Sequence, residues 1–383
     1  MSHEPTRAAG LARLGAFAPA MGRRYAAERN HDHGGAGEWP ANVSALSPYL
    51  RHRLVGEEEV LARALADHGA DKAEKFVSEM LWRGYFRGWL EQRPAVWDRY
   101  LAERDAALAA VEANGGLARD YRAAVEGRTG IDCFDAWARE LTEHNWLHNH
   151  ARMWFASIWI FTLRLPWALG ADFFLRHLLD GDSASNTLSW RWVAGLHTRG
   201  KAYAARADNI AKYTDGRFDP KGLAAHVEPL TEDFEPPLTR FTPPPQPRVE
   251  GEWLLLLHEG DLAIEHPLPT PPAAVIALAP RDEGLAEPVM SFRRAAIEDA
   301  AARASAAYGC SIVRCDTPEA IGGLANGRPV AAPYVPLGNA PALPGALTFV
   351  RDYDAAIWPL ATAGFFKVKS GAPAKLRPLG LPA

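Results

Sequence analysis

The segment RELTEHNWLHNHARMWFASIWIFTLRLPWALGADFFLRHLLDGDSASNTLSWRW, residues 139–192, is the most informative part of this 383-residue chain. It brings together many tryptophans, a short apolar run flanked by arginines and an Asp-Gly-Asp turn. Tryptophan is costly to bury unless its indole N–H finds a partner, so such a concentration needs a structural or chemical reason. A dense aromatic region with a few fixed charges suits a flat, redox-active cofactor.

Composition and charge exclude several classes of protein. The net charge of −4 does not indicate a strongly basic, non-specific polyanion binder. Cys133, Cys310 and Cys315 are too few and too scattered for a disulfide framework or a four-cysteine iron–sulfur cluster. No secretory signal is visible, and the apolar run Trp154–Leu163 is about half the length of a membrane-spanning helix. We expect a cytoplasmic protein with no membrane segment and no iron–sulfur cluster.

The spacing of apolar residues divides the chain into a helical part and an α/β part. From Ser47 to about Ala225 apolar residues recur every three or four positions, which predicts an all-α domain over residues 1–230. A proline-rich linker follows over residues 231–250. Residues 251–383 then predict a small open α/β sheet domain with a docking tail. Its predicted elements are strands at Trp253–His258, Ala274–Leu278 and Cys310–Cys315 and a helix over 292–308.

Two motifs lie early in the helical part. VSALSPYL (43–50) follows Tyr25 and Arg29, and a serine-rich helix start can bind an anion or simply cap the helix. EMLWRGYF (79–86) places its Glu, Trp, Arg and last Phe three or four residues apart, so they share one helical face. The alternative for this second motif is a core-facing aromatic helix whose arginine reaches solvent.

Two further motifs lie in and just before the tryptophan-rich segment. The first runs from GRTG (127–130) through REL (139–141) to WLHNHARM (146–153). The second is LDGD (179–182), followed by Asn186 and the WRW of residues 190–192. An isolated Asp-Gly-Asp would indicate only a turn, but its spacing to the arginine and asparagine suggests a polar site.

Together and in this order, the four motifs resemble the photolyase/cryptochrome family over about residues 20–230. The resemblance implies an all-α FAD-binding domain. Val43 departs from it, because the family usually has threonine there. Family members place a large α/β antenna domain before the helical domain, whereas here a small α/β unit follows it. We therefore expect a short, permuted form of the family with FAD as its only chromophore.

The resemblance also assigns residues to the cofactor. Arg152 and Asp180 are expected to form an ion pair beside the flavin, which would stabilise its reduced, anionic form FADH⁻. Asp182 is expected to accept a hydrogen bond from a ring N–H, and Asn186 to face the flavin N5. The full set of implied FAD-binding residues is Tyr25, Ser44, Ala45, Leu46, Ser47, Arg83, Asn149, Arg152, Asp180, Gly181, Asp182 and Asn186.

A second set is implied for substrate. Trp82 and Trp192 match the pair that receives a flipped-out pyrimidine dimer, since damaged bases are cheap to extrude and stack on aromatic rings. Met153 matches the wall of the same cavity and Arg29 a DNA phosphate contact. Glu79, at the mouth of the cavity, matches a catalytic residue, as do Asn186, Trp190 and Trp167. The identities of Asn149 and Met153 resemble relatives that act on cyclobutane dimers rather than (6-4) photoproducts.

A third set is implied for electron transfer. Trp190 matches the electron donor next to the flavin and Trp167 the second relay. No tryptophan stands at the position of the third relay, and Tyr121, Trp154 or Trp159 could complete a different path.

These assignments lead to two principal hypotheses of function. The first is light-driven repair of cyclobutane pyrimidine dimers in UV-damaged DNA by a monomeric lyase that uses FADH⁻. The second is a cryptochrome-like photoreceptor or redox protein without repair activity. A third, a structural helical module without flavin, would be excluded by flavin absorbance. HDH (31–33) could bind a metal ion, but no further ligands are apparent in the sequence, so we expect a solvated loop and no metal.

Overall fold

The computed structural model describes residues 3–34, 40–282 and 284–381, and the first part of this structure is helical. Its helices are α1 (Arg7–Phe17), α2 (Arg23–Glu28), α3 (Ser47–Arg51), α4 (Glu57–Glu91), α5 (Ala95–Ala113), α6 (Gly115–Val125), α7 (Asp132–His144), α8 (Asn149–Ser157), α9 (Trp167–His177), α10 (Ser183–Ala194) and α11 (Ala207–Tyr213). A π-helical turn, Ile158–Thr162, continues α8. None of the helices in the described part of the chain is long and apolar enough to cross a membrane.

The second part of the chain forms a parallel sheet with flanking helices. Its elements are β1 (Leu254–Leu257), β2 (Ala274–Leu278), α12 (Glu287–Tyr308), β3 (Ser311–Cys315), α13 (Ile321–Ala325), β4 (Val330–Pro333), β5 (Leu347–Phe349), α14 (Asp352–Ile357) and α15 (Phe365–Leu376). The strand order is β3-β2-β1-β4-β5, and every neighbouring pair is parallel. All four leucines of β1 are fully buried, as expected for a strand covered on both faces.

The predicted fold class is confirmed, with differences in detail. An all-α part is followed by a small open α/β sheet, and the three predicted strands are present. The helix predicted over 292–308 begins earlier, at Glu287, and helices α1 and α2 lie before Ser47, where the helical spacing of apolar residues begins. The chain between Tyr213 and Leu254 forms no helix or strand, because its many prolines lack the backbone donor that either structure needs.

The chain folds into two compact units that alternate along the sequence. The helical unit contains Ala27–Val43 and Arg93–Pro237, and the sheet unit contains His3–Ala26, Ser44–Gln92 and Leu238 onwards. The sheet unit therefore includes α1, α3 and α4 as well as the strands. The predicted division at residues 230 and 250 follows the order of elements along the chain and stays a prediction.

The helical unit is built on a buried aromatic core. Trp137 stacks on Trp154 with ring centroids 5.5 Å apart, and Phe134 stacks on Phe155 at 4.2 Å. Each buried indole N–H would be costly without a partner. Trp137 donates to Asp32 at 3.0 Å, and Trp154 donates to Asn209 at 3.0 Å. Several tryptophans of this unit are thus structural, and the polar partners of their N–H groups fix their orientation.

The sheet unit has a buried network of charges. Arg53 is almost fully buried and pairs with Glu57 at 3.1 Å, Asp261 at 2.9 Å and Asp354 at 2.6 Å. Arg351 adds a second guanidinium, which is bidentate on Asp261 at 2.9 Å from each carboxylate oxygen. Buried charges need such compensation, so the network ties together stretches of chain that are far apart in sequence.

The C-terminal helices pack on α4 within the sheet unit. Gly88 lies so close to Trp358 that a Cβ at position 88 would be 2.6 Å from the Trp358 Cα atom. Gln92 donates from Nε2 to the Trp358 carbonyl oxygen at 2.9 Å. Phe365 is buried, whereas the next residue, Phe366, is 80% exposed. The docking tail therefore covers α4 with Trp358 and Phe365 but leaves Phe366 in solvent.

Candidate functional site

A largely buried ion pair lies next to the start of α8 in the helical unit. Arg152 Nη2 lies 2.9 Å from Asp180 Oδ2, and Arg152 Nε donates to the Leu147 carbonyl oxygen at 2.9 Å. The Asp180 side chain is 5% exposed and that of Arg152 is 22% exposed. The guanidinium is therefore held from two directions, which matches the ion pair expected from the sequence.

Residues at the start of α10 add oriented polar groups. Asp182 Oδ1 accepts from the Ser185 backbone N–H at 2.9 Å and so caps α10. Asn186 donates from Nδ2 to the Ala171 carbonyl oxygen at 2.9 Å, which leaves its amide oxygen as the acceptor it can offer. Asn149 is the first residue of α8 and is exposed.

Gly181 lies between these carboxylates at a point where the backbone is crowded. A Cβ at this position would be 3.1 Å from the carbonyl oxygens of Leu175 and Leu178. Glycine therefore lets the chain between Asp180 and Asp182 turn closely against the end of α9.

These side chains fit a flavin ring. The isoalloxazine edge offers N–H donors, carbonyl acceptors and, when reduced, a negative charge. The Arg152 guanidinium can pair with the negative charge of the reduced ring. The carboxylate and amide oxygens of Asp182 and Asn186 can accept hydrogen bonds from the ring N–H groups. Two buried polar atoms of α10, Trp190 Nε1 and Thr187 Oγ1, also have no hydrogen-bond partner among the described residues. Helix α10, which carries Asn186, thus has two further polar atoms that can form hydrogen bonds with a ligand.

Several of the residues expected to bind FAD lie in the sheet unit. Tyr25 is buried, with its ring edge-on to Phe76 at 5.1 Å. The Ser44 carbonyl oxygen accepts from Arg13 Nε at 2.6 Å, and Ala45 has a left-handed backbone with φ of 49°. Leu46 is fully buried. These residues form an ordered turn before α3.

The helix that follows this turn, α3, is short. It begins at Ser47 as expected but ends at Arg51, after five residues. Its dipole is correspondingly small, because the dipole grows with the number of aligned peptide groups. Any phosphate binding here would depend on hydroxyl and backbone N–H groups more than on the helix dipole.

Arg83 makes intramolecular contacts. Its Nε donates to Glu57 Oε1 at 3.3 Å, and its Nη2 donates to the Leu50 carbonyl oxygen at 3.1 Å. Burial alone would raise the pKa of Glu57, but Arg53, Arg83 and Arg87 together lower it. Arg83 therefore keeps a buried carboxylate ionised, in addition to any role toward FAD. Glu79, one helical turn earlier, is half-buried.

The C-terminal helix covers the predicted substrate residue Trp82. The Trp82 and Phe365 rings stack face to face, with centroids 3.8 Å apart and planes 6° apart. An ion pair between Lys369 and Glu74 joins the same two helices. Sequence reasoning predicted that the tail docks but did not identify where. One face of the ring expected to receive a damaged base is thus occupied by the protein itself.

The other predicted substrate residues lie in the helical unit. Trp192 is half-buried and packs against Tyr203 with centroids 5.5 Å apart. Met153 is half-buried on α8, one residue after Arg152. Arg29 is half-buried and follows α2.

In the described part of the chain, the ring contacts of Trp190 lead to Trp159 and not to Trp167. Trp190 lies edge-on to Trp159 with centroids 6.2 Å apart, and Trp159 lies edge-on to the half-buried Tyr121 at 6.0 Å. Trp167 has its ring contact with Tyr100 at 5.7 Å. Among the described residues, no ring contact joins Trp167 to Trp190.

A polar cavity in the helical unit was not identified from sequence. It has a volume of about 530 Å³, and the residues lining it include Arg139, Glu140, Glu143 and Arg217. Burial raises the pKa of Glu140 to about 7, and the negative charge of Asp32 adds to the effect. Glu140 sits in the REL motif, where the sequence offered no sign that its carboxyl group titrates near neutral pH.

Comparison with known proteins identifies the helical domain. The family model described as the FAD binding domain of DNA photolyase matches residues 76–227. Residues 76–227 of this chain are therefore similar to the FAD-binding domain of the photolyase family. This confirms FAD as the cofactor at the level of the domain family.

The photolyase relatives differ from this chain in length. A deoxyribodipyrimidine photo-lyase of Thermus thermophilus is 36% identical over 219 residues, which are 57% of this chain and 49% of that protein. One of Streptomyces griseus is 34% identical over 197 residues, 48% of this chain and 42% of that protein. The chain thus spans about half the length of the curated photolyases it matches. A solved class III photolyase from Agrobacterium tumefaciens is 24% identical, with a TM-score of 0.46, over 55% of this chain and 43% of that one.

Proposed function

We propose that this protein uses FAD and light to split cyclobutane pyrimidine dimers in DNA. The observation that carries the proposal is the Arg152–Asp180 ion pair, with Asn186 on the helix that follows. Reduced FAD, when bound, supplies an electron on excitation by light. Transfer of this electron to the dimer leads to cleavage of its two cyclobutane C–C bonds. The electron then returns to the flavin, so the reaction has no net oxidation or reduction.

The residues of the helical unit have distinct tasks in this proposal. Arg152 supplies the positive charge that favours an anionic ring, since a nearby cation stabilises a negative charge. The Asn186 amide donor is engaged by the Ala171 carbonyl, so its oxygen is turned to accept a hydrogen bond. An acceptor at this place favours a protonated flavin N5. The Asp182 carboxylate is held in place by the Ser185 N–H and can accept a hydrogen bond from an N–H of the flavin ring.

The photoreduction path runs through the aromatic core in this proposal. Trp190, Trp159 and Tyr121 form a continuous series of ring contacts from a fully buried indole to a half-buried phenol. Tyr121 therefore takes the place of the third relay that the sequence left open. Trp167, the second relay expected by resemblance, donates its indole N–H to Glu103 at 2.9 Å instead.

In the helical unit, substrate binding is assigned to Trp192, Met153 and Arg29. In the sheet unit, a role toward substrate is assigned to Trp82 and Glu79. Trp192 offers a half-buried ring for a flipped-out base, because base–aromatic stacking needs only an accessible ring face. Trp82 can offer one face, since the other is stacked on Phe365.

The test is a light-driven repair assay on the full chain. The flavin-loaded, reduced protein is illuminated with a thymine oligonucleotide that contains cyclobutane dimers, and recovery of thymine absorbance is followed. A dark sample and a Trp192→Ala variant serve as controls. We expect recovery only in the light and much slower recovery for the variant. A protein that binds and reduces FAD but restores no thymine absorbance contradicts the repair proposal.

The stacking of Phe365 on Trp82 favours a second candidate, a cryptochrome-like photoreceptor or redox protein. In this case the C-terminal helix occupies the position of the damaged base, and light changes the protein without repair. The same assay separates the two functions, because the photoreceptor undergoes photoreduction but leaves dimers intact.

We further propose that the protein works in the cytoplasm. Cys133, Cys310 and Cys315 are free thiols. Burial raises the pKa of Cys133 to about 12, so this thiol stays protonated and unreactive at neutral pH. Free thiols of this kind suit a reducing compartment.

A further inference from the structure

His31, His33 and Asp215 bring their side chains together at the surface of the helical unit. His31 Nδ1 lies 3.2 Å from Asp215 Oδ1, and His33 Nδ1 lies 2.6 Å from Asp215 Oδ2. The three ligand-type atoms all lie within 4.8 Å of one another. The two imidazole rings are stacked with centroids 5.5 Å apart. Two ring nitrogens therefore converge on one carboxylate.

A buried carboxylate holds the two histidines in place. Asp32, which stands between them, is 3% exposed and accepts from the indole N–H of Trp137 at 3.0 Å and from Arg217 Nη2 at 2.6 Å. Its backbone N–H donates to the Tyr213 carbonyl oxygen at 2.7 Å. Because Asp32 points into the protein, its two neighbours are directed outward together. The same contacts tie this segment to the turn that carries the third ligand.

The turn that carries Asp215 is also ordered. Asp215 has a left-handed backbone with φ of 54°, just after α11. The Gly216 N–H donates to the Ala211 carbonyl oxygen at 2.8 Å, and the Arg217 N–H donates to that of Thr214 at 3.0 Å. Both halves of the cluster are thus fixed by contacts that do not use the ligand atoms. A site preorganised in this way loses little conformational freedom when it binds an ion.

The donor set selects the class of ion. Imidazole nitrogen and carboxylate oxygen bind zinc at about 2.0–2.2 Å, and a tetrahedral arrangement at that length separates neighbouring ligand atoms by about 3.3 Å. The 3.2 Å between His31 Nδ1 and Asp215 Oδ1 is close to this separation, whereas the 2.6 Å between His33 Nδ1 and Asp215 Oδ2 is that of a direct hydrogen bond, which an ion would replace. Magnesium and calcium prefer oxygen ligands throughout, so two histidines argue against them.

We infer that His31, His33 and Asp215 form a zinc-binding site with water as the fourth ligand. Three protein ligands and one open position are the arrangement that zinc keeps where it remains accessible. The polar cavity beside His33 gives the fourth position room, and Glu140 on its wall supplies an acceptor for a bound water. This differs from the solvated loop expected from the sequence, because Asp215 lies too far along the chain for the sequence to associate it with the histidines.

The inference is tested by zinc binding to the full flavin-loaded chain. The protein is stripped with a chelator and titrated with zinc chloride in a calorimeter. We expect one equivalent to bind the wild type. His33→Ala and Asp215→Asn should each weaken binding by more than the roughly 10–100-fold that loss of a merely supporting residue costs. His144→Ala is the matched control, since His144 lines the same cavity but lies outside the cluster.

A second readout separates loss of the site from loss of the fold. Zinc should raise the unfolding temperature of the wild type and of His144→Ala, because an ion that binds only the folded state stabilises it. The same addition should leave the unfolding temperatures of the His33 and Asp215 variants unchanged, while their flavin absorbance stays that of the wild type. Absence of stoichiometric zinc binding in the wild type, or wild-type affinity in Asp215→Asn, overturns the inference.

Discussion

Arg152 is the residue whose replacement should affect the cofactor most directly. Arg152→Leu removes the guanidinium paired with Asp180 at 2.9 Å. Breaking a fully buried ion pair lowers the free energy of unfolding by about 3–5 kcal/mol. We expect a smaller loss of stability here, because Arg152 is 22% exposed. The variant should therefore lose FAD during gel filtration, measured as the ratio of flavin to protein absorbance.

The control for Arg152 is an ion pair on the surface. Arg206→Leu breaks the pair with Asp208, in which both side chains are about 70% exposed, and exposed pairs contribute little. This variant should keep its flavin, and Arg152→Lys should keep an intermediate fraction. Full retention of FAD by Arg152→Leu would contradict the placement of the cofactor.

Trp159 and Trp167 allow a direct test of the electron path. Trp159→Phe should slow photoreduction of bound FAD several-fold, because phenylalanine is far harder to oxidise and Trp159 links Trp190 to Tyr121. Trp167→Phe is the matched control and should have the smaller effect. Photoreduction is followed by the loss of oxidised-flavin absorbance under blue light with a soluble reductant. The opposite ranking would restore Trp167 as the second relay.

The sequence predicted the polar ion pair, whereas for the aromatic relay it left Tyr121, Trp154 and Trp159 open as alternatives. Arg152 and Asp180 are 28 positions apart, and their pairing was expected from the resemblance of their motifs to the photolyase/cryptochrome family. Trp159 lies in the π-helical turn after α8, which departs from the 3.6-residue period on which sequence reasoning relies. The direction of its ring could therefore not be read from its spacing to Trp154.

At the scale of elements, α15 is expected to control access to Trp82. Phe365→Ala removes the ring stacked on Trp82 and should increase affinity for dimer-containing DNA, measured by fluorescence anisotropy with a labelled oligonucleotide. The neighbouring Phe366→Ala is the matched control, because Phe366 is 80% exposed. Equal affinities for the two variants would show that the Trp82 face covered by α15 plays no part in DNA binding.

The packing of α4 on the tail gives a stability prediction. Gly88→Ala places a Cβ 2.6 Å from the Trp358 Cα atom, and overpacking of this kind costs about 1–3 kcal/mol. Gly15→Ala is the matched control inside α1, where a Cβ would meet nothing within 4 Å. Alanine loses less backbone freedom than glycine on folding, so the free energy of unfolding of that variant should rise by about 0.5–1 kcal/mol. Chemical denaturation measures both, and an unaffected Gly88→Ala would contradict the close approach.

Strands β4 and β5 could not be predicted from the sequence, because they are short and their pairing partners lie elsewhere in the chain. Strands β1 and β2 are continuous apolar runs, which the sequence shows plainly. Strands β4 and β5 have four and three residues, and β4 ends in a proline, so neither carries a strand pattern of its own. Strand β4 pairs with β1, and β5 pairs with β4. These places follow from packing between distant parts of the chain.

For the whole molecule, Glu91 predicts a pH dependence of stability. Burial raises its pKa to about 7 from an unfolded value of 4.5, against the hydrogen bonds from the Leu337 N–H and the Tyr334 hydroxyl. The folded protein thus holds a proton that the unfolded chain releases between these pH values. The stability from this group is fully present below pH 4.5 and is lost as the pH rises through about 7.

The test of this prediction compares two glutamine variants. Glu91→Gln should flatten the pH profile of the unfolding free energy over this interval, by about 1.4 kcal/mol for each unit of pKa difference removed. Glu112→Gln, at an exposed position on α5, should leave the profile as it is in the wild type. Identical profiles for Glu91→Gln and the wild type would contradict the raised pKa.

The alternation of the two compact units along the chain affects how the protein is synthesised. All parts of the helical unit have been translated once Pro237 is added, whereas the sheet unit needs elements up to the end of α15. Nascent chains fold in the order in which they emerge, so α4 remains without its partner Trp358 through much of translation. The surface of α4 around Gly88 thus stays uncovered by Trp358 while the chain is still being synthesised on the ribosome.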